Sequence, residues 1–346
     1  MALVEERPKE RGGTLVERVP PSYWVLAVLL LIMPAFASDF TLFQIFGWTF
    51  ILGMIALSLM FLAGYGGMVS LVQMTIAGLA GYMVAILGSS AIDISMGWPW
   101  YINIPLAIMI AALFGTIVGA LAVRTDGIYT IMITLAIASA FFYFTRQNYV
   151  IFNGFSGFNG VLPPQLFGVD WRGATAFYYL TLFWAVLSFL VVLYVSRAPF
   201  GLALQGVRDN PRRMAALGFN VNAHRIAAYT FASVIAAIGG ILLTWQSAQI
   251  SPGTAGIGPV IDILVIAVIG GMRRPIGPFI GAFIYVLLKT FAIDVLIALG
   301  LSGDRFQLLI GLSFLVIVFW SPDGILGLWD RWQENRGKDP LTGDRS

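Results

Sequence analysis

Three ionisable residues stand inside otherwise apolar runs: Asp262, Lys289 and Asp294. Charge at membrane depth is costly, so such residues mark a substrate contact or proton relay, or else they neutralise one another structurally. Both readings stand here, because Lys289 can pair with Asp262 or Asp294 or reach a headgroup region. A proton-driven pump needs acids and histidines near the midplane, and this chain has a single histidine, His224. It has no cysteine, which removes disulfides, thiol nucleophiles and Cys/His metal clusters. It also lacks the G-x-x-x-x-G-K-S/T phosphate loop, H-E-x-x-H and the G-x-S-x-G elbow. No catalytic set, metal site or cofactor cradle is expected. If ATP energises this chain, another chain hydrolyses it.

Two other stretches carry chemistry of a binding kind. The first is "AGYGGMVSL", Ala63–Leu71. Its Gly64-Tyr65-Gly66 echoes a potassium filter, but no Thr-Val precedes it and no pore helix stands in front. A glycine-rich break fits better, with one helix ending there and a polar helix start following at Ser70, Gln73 and Thr75. Polar side chains at membrane depth face protein or a pathway rather than lipid. Gly64, Tyr65, Gly67, Ser70, Gln73, Thr75 and Asp262 are therefore candidates for a translocation path.

The second stretch is "SRAPFGLALQGVRDNPRRMAALGFNVNAHR", Ser196–Arg225, with five arginines and His224. Pro199-Phe200-Gly201 predicts a stop and a turn, and Leu202–Val207 a short helix. Arg208-Asp209-Asn210-Pro211 then supplies a cap with proline at the first helical position. Arg212–Leu217 predicts another turn or two, closed by Gly218 as a left-handed cap. A plain positive-inside loop needs no such caps and no Leu202, Leu204, Met214, Ala215 and Leu217 to bury. Apolar residues on a water-side element call for a partner, so a docking element is expected.

What must position these residues is a membrane bundle. Mean hydropathy is +0.87, only 11% of residues are charged, and 38 of 346 are glycine. Soluble chains carry about 25% charged residues. The fold class is an all-α polytopic membrane protein. The net charge of +3 does not imply nucleic acid, because the basic residues follow topology. Ten apolar runs stand against the ~20 residues that cross a bilayer. They are Tyr23–Phe36, Phe40–Ala63, Ser70–Gly88, Trp100–Val123, Ile128–Thr145, Ala174–Ser196, Ile226–Gln246, Val260–Met272, Phe279–Leu299 and Phe306–Trp320. Tyr23–Phe36, Val260–Met272 and Phe306–Trp320 are short and suit broken or interior segments.

With ten spans, sixteen of the twenty Lys and Arg residues fall on the side of the termini. Both termini and the arginine-rich stretch are therefore expected in the cytoplasm. Ala35-Phe36-Ala37 imitates a signal-peptidase site, but the acidic leader and the nine runs after it favour a retained first helix. The expected organisation is a cytoplasmic tail over 1–22, a transmembrane domain over 23–328 and a cytoplasmic tail over 329–346. The domain carries a coupling loop over 197–225 and an ordered outer loop over 146–173. Small-xxx-small pairs at Gly115/Gly119 and Gly277/Gly281 allow close helix contact.

In order and spacing, several of these motifs resemble the permease subunits of branched-chain amino acid ABC transporters, the hydrophobic amino acid uptake family. They include "GYGGMVSL" at Gly64–Leu71, "DGIYTIMITLA" at Asp126–Ala136 and "FNG" at Phe158–Gly160. "GVRDNPRRMAALGFNV" at Gly206–Val221, "ISP" at Ile250–Pro252, "GGM…GPFIGA" at Gly270–Ala282 and "SPDGILG" at Ser321–Gly327 complete the set. The resemblance runs from about Trp48 to Gly327. It implies an ABC importer permease bundle of about ten helices, with a broken or re-entrant segment near 64–70, in a bacterial inner membrane. It also implies a second homologous permease, two cytosolic ATPases and an extracytoplasmic solute-binding protein. Arg208, Asp209, Asn210, Arg212, Arg213, Ala216, Leu217 and Gly218 would form the coupling helix against the ATPase, and Thr134, inside its motif, would join the path. The chain departs from the family pattern in Arg212-Arg213, where an acidic residue is frequent, and in Arg273-Arg274. Relatives of this family also carry urea and short amides. The competing class, a stand-alone secondary transporter, needs an internal repeat and ion-coupling acids.

Overall fold

The computed structural model describes residues 28–298 apart from 93, 126 and 166–170, and the separate positions 311, 312, 315, 324 and 325. The apolar runs become helices: α1 (Thr41–Tyr65), then α2 (Gln73–Leu87), α3 (Trp100–Ala122), α4 (Ile128–Gln147) and α5 (Ala174–Arg197). Two short helices follow, α6 (Pro199–Asp209) and α7 (Pro211–Ala216), then α8 (Val221–Ser247), α9 (Ile257–Gly270) and α10 (Gly277–Ala298). Five of them, α1, α3, α4, α5 and α8, are long and apolar enough to cross a membrane. The chain is a mostly helical, multi-pass membrane protein. The run Tyr23–Phe36 is helical where described, over 28–32 and in a 3-10 turn at Met33–Ala35. Most of Phe306–Trp320, the tails and the Asp294 side chain lie outside the described residues.

Glycine decides how the helices meet. On α2, a Cβ at Gly81 would collide with Thr244 of α8, and one at Gly240 of α8 with the backbone of Ala77. Gly115 and Gly119 of α3 take Ser233 and Tyr229 of α8 in the same way, and the Thr116 and Thr230 hydroxyls bond at 2.8 Å. Gly281 of α10 meets the Ile266 carbonyl of α9. With no hydrophobic drive between helices in lipid, such close van der Waals packing holds the bundle. The result places α8 at the centre, against α1, α2 and α3, with α2 almost wholly buried. The outer helices instead show a lipid-facing stripe, as in Met109, Leu113, Ile117 and Leu121 of α3.

At one end of the bundle, part of loop 146–173 is ordered as a cap. Its strand β1 (Phe158–Asn159) pairs antiparallel with β2 (Gln249–Ile250), just past α8. Asn159 also accepts a bond from the Ala91 amide at 3.0 Å, which ties in the loop after α2. Phe158 is fully buried beside Tyr82.

Candidate functional site

The break sits where glycine places it. The last turn of α1, Phe61–Tyr65, is π-helical, and the backbone leaves the helix after Gly66. Gly67 takes φ +67°, a left-handed conformation that L side chains resist. α2 then starts at Gln73, three residues inside the expected run, because 67–70 have no regular structure and 71–72 form a turn. A π-turn widens the helix and is frequent at functional sites.

Polar side chains from three helices collect at this break. The Leu71 amide donates to the Thr134 hydroxyl of α4 at 3.1 Å, and Thr134 donates in turn to the Thr130 carbonyl at 2.9 Å. Ser58 of α1 donates to Gln73 Oε1 at 3.1 Å. Ser70, Gln73, Thr75 and Thr134 are all buried. Ser58 escapes a reading of the sequence because it is one hydroxyl in a long apolar run. Only the helix register that turns it toward Gln73 reveals it. The Tyr65 ring lies tilted against Phe61, with centroids 5.8 Å apart, and Gly64 packs against the Met272 carbonyl beyond α9.

Asp262 lies apart from that cluster. It is half-buried on α9, with the Tyr285 hydroxyl of α10 near its carboxylate. Lys289, one turn beyond Tyr285, adds an attractive charge without forming a direct ion pair with Asp262 among the described residues. Lys289 Nζ sits 6.0 Å from the Trp48 ring.

The arginine-rich stretch is two capped helices. Asn210 accepts from the Arg213 amide at 2.9 Å with Pro211 in the first position of α7. Gly218 closes α7 at φ +88°, and the Phe219 amide bonds back to the Met214 carbonyl at 3.1 Å. Both helices differ slightly from the expected bounds, since Pro199 begins α6 and Pro211 begins α7. The expected burial divides. Leu204 is fully buried and Met214 half-buried, whereas Leu202, Ala215 and Leu217 are exposed, Leu217 by 68%. The division has a simple cause: a six-residue helix has one face toward α6, where Met214 lies against Gly206, and Leu217 lies on no covered face. The side chains of Arg212, Arg213 and Ala216 are likewise exposed. The His224 ring, between Phe200 at 5.9 Å and Phe219 at 5.6 Å, fastens this pair to the start of α8.

One side chain joins the two sites. Arg208, at the end of α6, donates through Nη1 to the Gly64 carbonyl, while Asp209 holds its Nη2 at 2.8 Å. A Cβ at Gly67 would lie 2.6 Å from Arg208 Cγ, so the glycine makes room for the arginine stem. The exposed helix pair is thus bonded to the end of α1, two residues before the helix breaks off at Gly66. An arrangement of this kind can pass a displacement at the surface into the core.

The comparisons with known proteins agree with this architecture. A family model described as the permease component of branched-chain amino acid transport systems matches residues 41–318. The high-affinity branched-chain amino acid transport permease protein LivM of Salmonella typhimurium is 22% identical over 295 residues, 79% of this chain and 65% of its own length. A probable LivM protein of Methanocaldococcus jannaschii is 25% identical over 236 residues, 64% of this chain and 67% of its own length. The nucleoside ABC transporter permease protein NupC of Lactococcus lactis is 28% identical over 208 residues, 56% and 63% of the two chains. The chain thus spans about 65% of the length of its Salmonella relative. No solved structure matches it.

Proposed function

Since this chain belongs to the family of permease components of branched-chain amino acid transport systems, we propose that it is the membrane-spanning permease subunit of an ATP-binding cassette importer for branched-chain or other hydrophobic amino acids. It works beside a second, homologous permease, two cytosolic ATPases and an extracytoplasmic solute-binding protein, in a bacterial inner membrane. Ten spans with both termini cytoplasmic follow from the distribution of Lys and Arg. Residues 329–346 and 1–22 are then cytoplasmic tails, loop 197–225 the coupling loop and loop 146–173 the outer cap. The chain binds no cofactor, and ATP is hydrolysed by its partners.

The observation that carries this reading is the Asn210- and Gly218-capped helix α7, with Leu217 and its arginines uncovered and Arg208 bonded to the Gly64 carbonyl. Arg208, Asp209, Asn210, Arg212, Arg213, Ala216, Leu217 and Gly218 form the ATPase-facing element. Gly64, Tyr65, Gly67, Ser70, Gln73, Thr75 and Thr134 line the path, and Asp262 stands further along it. The test is co-purification of the ATPases with the permease. Leu217→Asp places a carboxylate where an apolar anchor docks, and loss of a good anchor costs about 2 kcal/mol or more. ATPase capture should fall at least tenfold, in keeping with that figure, at equal membrane abundance. Unchanged capture and transport would reduce the element to a loop that only obeys the positive-inside rule.

A further inference from the structure

We propose that the start of α2 is a carboxylate-binding site for the transported solute, at the end of the path nearest the coupling element. The proposal rests on the reading of the break as part of that path, and it adds the chemical class of solute the break can recognise. A helix N-terminus leaves its first amides without intrahelical acceptors and carries partial positive charge. No side chain caps α2. Around it, the Leu71 amide is held by Thr134 and the Val72 amide faces Ser70 at 3.5 Å, but these contacts leave the first turn of the helix itself uncapped.

A second, independent observation points to a ligand. Gln73 Nε2 and Thr75 Oγ1, in that first turn, have no hydrogen-bond partner, although Gln73 is 1% exposed and Thr75 fully buried. Buried polar atoms without partners are rare and call for an explanation. Here two of them flank amides that suit an anion. Half-helices broken at membrane depth present such N-termini to anionic solute groups. All the groups offered are neutral. A carboxylate is therefore held by hydrogen bonds and the helix dipole alone, weakly enough to leave, as passage through a membrane requires. Val72 and Ile76, on either side of that turn, are fully buried and apolar, which suits an aliphatic body on the same solute. Urea, short amides, sugars and nucleosides lack the group this site would read.

The test addresses the cytoplasmic side, where the solute-binding protein exerts no selection. The full transporter, reconstituted in proteoliposomes, imports labelled leucine while 4-methylpentanoate or 4-methylpentanamide is present on the cytoplasmic side. The acid should inhibit uptake and the amide should not. Thr75→Val and Gln73→Leu should each raise the inhibitory concentration of the acid about tenfold, the equivalent of one hydrogen bond to a charged group. Thr75→Ser should restore it. A purely structural role for these side chains changes transport rate but leaves the acid-to-amide ratio untouched. Equal inhibition by acid and amide, no inhibition by either, or variants with the wild-type ratio would overturn the site while leucine uptake upholds the importer. Import of urea or a sugar in place of any carboxylate would overturn the site and leave the permease standing. Failure to capture ATPases and to import any of these solutes would remove the permease reading, and the site with it.

Discussion

Arg208 concentrates in one side chain the link between surface and core. Its guanidinium holds the Gly64 carbonyl and Asp209, and its stem lies on Gly67. Arg208→Ala should leave assembly with the ATPases intact and uncouple hydrolysis from import, because α7 keeps its own caps. Lysine reaches one acceptor but cannot fork to two, so Arg208→Lys should recover only part of the coupling. Parallel assays of ATP hydrolysis and solute uptake read both variants, and full coupling in Arg208→Ala would discard the link. Gly67→Val acts from the other side. It forces a β-branched residue to φ +67° and drives its side chain into Arg208, at a cost of about 1 kcal/mol or more. Import should fall in that variant without loss of ATPase capture.

At the scale of elements, caps and glycine contacts make the predictions. Asn210→Ala removes the acceptor for the Arg213 amide and should cost about 1 kcal/mol locally. It should lower nucleotide-dependent transport more than membrane abundance. Gly281→Leu must push α10 off the Ile266 carbonyl of α9, an overpacking cost on the order of 1–3 kcal/mol. Thermal unfolding in detergent should register it as a lowered midpoint, and an unchanged midpoint would contradict the close α9–α10 contact. These elements were legible in the sequence to different degrees. Proline, asparagine and glycine announced α7 because turn chemistry is local and residue-specific. The long spans were legible from hydropathy. The π-turn ending α1, the late start of α2 and the Ser58–Gln73 bond were not, since an apolar run has no polar period to mark a register. Which of the apolar residues of α6 and α7 stay uncovered, Leu217 among them, was not legible, because burial depends on which face of a short helix its neighbours cover.

At the scale of the whole molecule, the absence of cysteine makes the topology directly measurable. Single cysteines at Asn159 and Asn210, probed in intact cells with an impermeant reagent, should label at Asn159 and stay silent at Asn210. The reverse pattern would invert the molecule. These positions also lie near the two ends of α8, a rod of 27 residues, or ~40 Å at 1.5 Å per residue. One end is fastened to the capped helices by His224, and the other continues into the strand pair with loop 146–173. Between them, the helix is least free to slide at Gly240, where its backbone lies against that of Ala77 with no side chain between. Spin-label distances from Asn220 and Asn159 to a common site on α5, with and without nucleotide, would measure the travel of both ends, and equal travel would exclude a pivot there. With that pivot, about twenty residues lie on one side and about seven on the other, a lever-arm ratio of roughly three to one. A swing of the α7 end about that point would reach the strand pair reversed in direction and reduced about threefold, so large movements at the helix pair would arrive at the loop as small ones.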